Sequence, residues 1–172
     1  MKRSIGICLC ASMILTQTLS ADDSKSKIDM SKVEVTSSFP SGFGATESPK
    51  QLIDGDKSTK LYRYLENAKD GESITFTFPK KVNLKGYSIT SGNDCPERDP
   101  KTWEFYGSNK QGVWVLLDKQ TNVTFSNRKE TKDFELKKTA HYKSYKLLIK
   151  EVGVNSSGLQ FAEIEFWNKI VF

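Results

Sequence analysis

TSGNDCPERDPKTWEFYGSN, residues 90–109, decides how this chain is read. Before it, residues 84–90 (LKGYSIT) alternate apolar and polar side chains, and residues 102–106 (TWEFY) inside it are aromatic-rich, so both flanks read as strands. Between them Gly92, Pro96 and Pro100 exclude regular structure, because proline lacks a backbone donor and restricts the residue before it. What remains is a stiff loop that carries Asn93, Asp94, Glu97, Arg98 and Asp99 on a β scaffold, a favourable place for recognition.

Outward from this loop the pattern stays β. Ile74, Phe76 and Phe78 alternate with threonines, Val82 and Leu84 lead to Tyr87 and Ile89, and residues 113–117 read VWVLL. Phe134 and Leu136 give a short alternation. Residues 142–152 put Tyr145, Leu147 and Ile149 on one face, and residues 160–167 close the pattern. A short strand is expected at residues 33–36, one helical turn at residues 51–53, and no clean period at residues 60–67. About eight strands, no long helix and no repeat of 20–50 residues predict an all-β, single-domain sandwich or jelly roll. Trp103, Trp114 and Trp167 lie within strands and are expected in the core.

The first 21 residues open with Lys2-Arg3, continue through an apolar run too short to span a bilayer, and end in small residues. They read as a signal peptide (1–21), followed by a flexible leader (22–32) and the sandwich (33–168), which places the product in a secreted, extracellular or periplasmic compartment. Losing Lys2 and Arg3 lowers the net charge from +5 to +3, spread along the chain, with no basic stripe of the kind nucleic acid requires. Of three cysteines only Cys95 lies beyond residue 21, so no intrachain disulfide is expected after cleavage; Cys95 itself reads as a small buried hydrophobe. Asn122 and Asn155 head N-x-S/T sequons and mark surface turns.

Three groups of residues could carry chemistry. Asp54, Asp56, Ser58 and Thr59 offer hard oxygen ligands on a tight turn, although glycine and glutamate do not stand where an EF-hand needs them; the turn is either a solvated one or a cation site. Asp94, Arg98 and Asp99 either bond one another to hold the loop or face a polyhydroxyl ligand. Tyr62, Arg63 and Tyr64 form an aromatic and basic cluster that packs at the core edge or reaches a ligand. No catalytic residues stand out: the one histidine, His141, has no nucleophile pattern near it, and neither G-x-S-x-G nor H-E-x-x-H occurs.

Residues 52–56 (LIDGD) with Thr59-Lys60, residues 93–100 (NDCPERDP) with Trp103 and residues 106–109 (YGSN), and residues 160–165 (QFAEIE) together resemble the discoidin, or coagulation factor 5/8 type C, family. That family belongs to the galactose-binding-like superfamily, which includes family 32 carbohydrate-binding modules. The resemblance covers roughly residues 33–167 and implies an eight-stranded jelly roll with a structural calcium ion. It implies carboxylate oxygens from Asp54 and Glu163, the hydroxyl and carbonyl of Thr59, and the carbonyls of Leu52, Asp56 and Ala162 as metal ligands. One departure is Leu61, which stands where the family usually has an aromatic residue. The expected function is a non-catalytic, lectin-like module that binds a carbohydrate or cell-surface glycan, with contacts from Tyr62, Arg63, Asn93, Asp94 and Arg98. The alternatives are a protein- or lipid-surface adhesion module of the same fold and a small glycoside hydrolase.

Overall fold

The alternating segments form antiparallel strands in the computed structural model, which describes residues 25–38, 44–64, 71–156 and 158–169. The expected signal peptide lies outside the described residues. Nine strands follow in order: β1 (Lys25–Lys27), β2 (Glu34–Ser37), β3 (Leu61–Tyr64), β4 (Glu72–Thr90), β5 (Pro100–Lys110), β6 (Val113–Gln120), β7 (Thr131–Val152), β8 (Gly158–Phe161) and β9 (Glu163–Lys169). Short 3-10 turns occupy Gly44–Glu47, Pro49–Ile53 and Pro96–Arg98.

β4 and β7 are long because each serves both layers of a β-sandwich. The first half of β4 pairs with β2 and with the second half of β7; its second half pairs with β9 and the first half of β7. Register shifts between Thr77 and Val82, and between Leu84 and Gly86, mark where β4 bends. Bulges of this kind increase twist and let one strand turn a corner. A glycine is required at 86, since a Cβ there would sit 2.1 Å from the Trp167 ring and 2.6 Å from the Phe134 carbonyl. The strand order β1-β9-β4-β7-β5-β6 leaves β6 at an edge, and β3 with β8 forms a separate two-stranded ribbon.

The core is aromatic. Tyr87 stacks on Phe105 at 4.4 Å between ring centroids, Phe105 on Tyr145 at 5.7 Å, and Phe76 meets Phe166 edge-on at 5.2 Å. Buried polar atoms are chained: Trp103 Nε1 donates to the Tyr87 hydroxyl (2.8 Å), which donates to Asp118 Oδ2 (2.7 Å). Such a chain satisfies groups whose isolation in the core would cost about 1–3 kcal/mol each.

Three sequence expectations are revised. Residues 25–28, read as part of a flexible leader, instead pair along β9, with Ile28 and Met30 packed against the core. The two alternating runs on either side of residue 80, and those on either side of residue 140, each join into one bent strand, whereas residues 158–169 split in two. The split falls at Ala162, whose N–H donates to the Thr90 carbonyl as the chain passes from β8 to β9. Finally, Trp103 and Trp167 are buried, as expected, but Trp114 on the edge strand is only half-buried. Asn122 and Asn155 do sit exposed in turns, both at positive φ.

Candidate functional site

The 90–109 loop is locked from below. Arg128 makes a bidentate pair with Asp99, through Nη1 to Oδ1 at 2.9 Å and through Nη2 to Oδ2, and also donates to the Asp94 carbonyl (3.2 Å). Burial pushes the Asp99 carboxyl up against the opposing pull of Arg128, while the hydrogen bond to Asp99 raises Arg128. Gln160, fully buried on β8, reaches across with Nε2 to the Asp94 carbonyl (2.6 Å) and Asp94 Oδ1 (2.8 Å). Lys60 Nζ completes the set on Asp94 Oδ1 at 2.7 Å. These contacts, the Lys60 hydrogen bond foremost, hold the Asp94 carboxyl below its ordinary value. The brace is therefore Arg128 with Asp99, not the pairing among Asp94, Arg98 and Asp99 that the sequence suggested. Cys95 is half-exposed rather than buried, because the turn holds it at φ 42° while its carbonyl accepts the Arg98 N–H.

With Asp99 held by Arg128, the Arg98 side chain is left to reach Tyr62. Its guanidinium carbon lies 4.8 Å from the Tyr62 ring centroid, a cation–π distance. Tyr64 meets Tyr62 edge-on at 5.2 Å. Tyr62 packs so closely on Gly158 that a Cβ at 158 would fall 2.7 Å from its ring. Lys60, Tyr62, Tyr64, Asp94 and Arg98, with Thr46 and Glu47 opposite, line an open cleft of about 450 Å³. That size is within the roughly 300–1,000 Å³ usual for small-ligand sites.

Of the five expected contacts, Tyr62, Asp94 and Arg98 come together here. Asn93 is exposed next to Asp94 but outside the lining. Arg63 is not at the cleft: strand alternation turns it inward, 1% exposed, with Nη1 donating to the Tyr62 carbonyl (3.0 Å) and Nη2 to Ser37 Oγ (3.2 Å). Sequence reasoning missed Lys60, Thr46 and Glu47 as lining and Gln160 and Arg128 as supports, and left Tyr64 between the core edge and a ligand. Period-2 alternation through LYRY would have put Tyr62 and Tyr64 on one face and Arg63 on the other.

On the side of the sandwich where Pro49–Ile53 meets β9, Asp54 and Glu163 lie together. Asp54 Oδ1 accepts the Asp56 N–H (2.9 Å) and Oδ2 the Thr59 hydroxyl (2.8 Å). Glu163 is 3% exposed, and its Oε1 is buried without a hydrogen-bond partner among the described residues. Burial first, then the hydrogen bond and charge of Asp54, push its carboxyl up to about 8. No lysine or arginine pairs with either acid among the described residues. The Asp56 carboxylate is engaged in its own turn, accepting from Ser58 N (2.8 Å) and Ser58 Oγ (2.6 Å). No group of three or more His, Cys, Asp or Glu side chains able to hold a metal occurs among the described residues, so any cation here would depend on carbonyl and hydroxyl oxygens as well. An orphaned buried carboxylate oxygen beside a second acid, with Thr59 and the Leu52, Asp56 and Ala162 carbonyls on the same segments, is a donor set that fits a hard cation.

Comparison with known proteins follows the same lines. The family model for the F5/8 type C domain matches residues 32–155. An F5/8 type C domain from Bacteroides fragilis superposes with a TM-score of 0.72 at 17% identity, covering 86% of this chain and 98% of that one. The family 32 module from Clostridium perfringens NanJ in complex with galactose gives 0.66 at 16% identity, over 84% of this chain and 99% of that one. A second C. perfringens module, CpGH89CBM32-5, in complex with GalNAc-β-1,3-galactose, gives 0.68 at 14% identity, over 83% of this chain and 100% of that one. Separately, 54 residues are 46% identical to the peptide-N(4)-(N-acetyl-beta-glucosaminyl)asparagine amidase of Arabidopsis thaliana. That match covers 31% of this chain and 8% of the curated relative.

Proposed function

The chain belongs to the F5/8 type C domain family, and from that premise we propose that it is an exported, non-catalytic carbohydrate-binding module with a structural calcium ion. The carrying observation is the cleft in which Asp94, fixed by Lys60 and Gln160, stands beside Arg98 on Tyr62. A neutral sugar needs paired donors and acceptors together with a flat apolar surface for its C–H face. Asp94 supplies the acceptor, Lys60 and Arg98 the donors, and the exposed Tyr64 the aromatic surface, while buried Tyr62 steadies Arg98. That solved neighbours are described in complex with galactose and with GalNAc-β-1,3-galactose supports galactose as the first probe. A general acid needs a raised carboxyl, and Asp94 is held in the opposite direction, which favours binding over glycoside hydrolysis.

Calcium would be held by Asp54, Glu163, Thr59 and the carbonyls of Leu52, Asp56 and Ala162. When bound it supplies positive charge to two acids that otherwise repel, and so fastens the turn after Pro49–Ile53 to β9. The positively charged, briefly apolar segment at residues 1–21 supports export to a compartment where calcium is plentiful. No helix among the described residues is long and apolar enough to cross a membrane.

Isothermal titration with galactose tests the cleft, with an expected dissociation constant in the roughly millimolar to micromolar range. Arg98→Ala should abolish measurable binding while leaving the melting temperature unchanged. Galactose binding that survives in Arg98→Ala would remove the cleft from the account.

A further inference from the structure

A second concave surface lies on the sheet toward the opposite end of β5 from residues 91–99. Strand register sets Ser108 of β5 across from Ser144 of β7, and Ser144 across from Thr77 of β4. This transverse row of small hydroxyl side chains lines a trough of about 580 Å³ together with Trp114 of β6. One face of the indole is held by a cation: Lys146 Nζ lies over the Trp114 ring at 4.6 Å from its centroid and over that of Tyr106 at 4.8 Å.

Charge gives the trough its selectivity. Lys110 and Lys143 belong to its lining, and neither ammonium is ion-paired among the described residues. Lys80 and Lys81 are exposed in the β4 bulge that follows Thr77, next to Lys143 by register. Among the described residues no carboxylate lines the trough; Glu34, paired with Thr77 through β2, stays outside the lining. The partly exposed Trp114 indole suits the C–H face of a pyranose, the Thr77 and Ser144 hydroxyls suit its oxygens, and the Lys110 and Lys143 ammoniums suit carboxylate or sulfate groups. We infer that this trough binds a short stretch of acidic glycan, bearing uronate or sulfate groups, independently of the galactose cleft. A nucleic acid is the less favoured polyanion, because one indole and a floor of hydroxyls offer no series of base-stacking platforms.

Trp114 is its own reporter. The chain has three tryptophans, and Trp103 and Trp167 are 0% and 3% exposed, so acrylamide quenching of the full-length protein reads Trp114. Adding trigalacturonate or a heparin-derived tetrasaccharide should protect the fluorescence, and protection by either supports the site. Trp114→Ala, followed by titration calorimetry, should weaken binding about tenfold. The double variant Lys110→Ala/Lys143→Ala, which leaves the packed core untouched, should weaken it and flatten its salt dependence. Arg98→Ala and excess galactose should change nothing, which separates this site from the first whether or not the first binds galactose. Four results would each overturn the proposal: no protection by either acidic oligosaccharide at 10 mM, displacement by galactose, an unaffected lysine double variant, or equal affinity for oligothymidylate.

Discussion

Asp99 and Glu163 are both nearly buried carboxylates raised by their surroundings, yet the fold answers them differently. Asp99 meets the planar fork of Arg128, so charge and lone pairs are satisfied within the chain and the recognition loop is set on a rigid base. Glu163 meets Asp54, a second acid, and keeps one oxygen without a partner. A buried like-charge pair is unfavourable unless it takes up a proton or a cation. The contrast teaches that the 91–99 loop is closed by the protein alone, whereas the Asp54–Glu163 pair keeps a buried oxygen that no described residue satisfies.

The largest expected effect comes from breaking the self-sufficient pair. Arg128→Ala should cost about 2–3 kcal/mol in denaturant titration, below the ~3–5 kcal/mol of a fully buried pair because the arginine side chain is 26% exposed. This loss should be the same with and without calcium. Chelation should act on the other pair alone. For a dissociation constant of about 0.1–1 mM, moving from 10 mM calcium into excess EGTA should remove about 1.4–2.7 kcal/mol. For a domain of this size that is a melting shift of about 3–10 °C in calorimetry. A melting curve indifferent to EGTA would erase the contrast. Glu163→Gln sharpens it: Glu163, pushed up to about 8, already carries a proton near neutral pH when calcium is chelated, so the neutral variant should melt within about 0.5 kcal/mol of the chelated wild type and ignore added calcium. The smallest effect concerns pH. Asp94 is held below its ordinary value of 3.8, so it stays ionised as pH falls toward that value. Galactose affinity should therefore be flat from pH 7 to about 4.5; a decline beginning near pH 6 would show that another group controls the cleft.

Much of the architecture was legible because alternation of apolar and polar residues is a local signal. Ile74, Phe76 and Phe78 announce an inward face without reference to the rest of the chain. The bends in β4 and β7 were not legible, since a strand that changes layers keeps its alternation and hides the corner. β3 was hidden for another reason: in LYRY the first three residues are all buried, so no alternation of exposure survives. At the site, Asp94 and Arg98 were found through the prolines around them. Lys60, Arg128 and Gln160 come from three other segments, and only tertiary pairing brings them to Asp94. Arg63 was misplaced because a basic residue between two tyrosines reads as surface, while here burial of its stem and bonds to the Tyr62 carbonyl and Ser37 hold it inside.

The ribbon of β3 and β8 joins Tyr62 to Gln160 in register. Assembly of the cleft thus draws on a segment close to the C-terminal end of the described residues. Such distant pairing forms late and slowly. A polypeptide halted before Gly158 would carry Asp94, Arg98 and both tyrosines yet lack Gln160, whose amide donates to the Asp94 carbonyl and carboxylate.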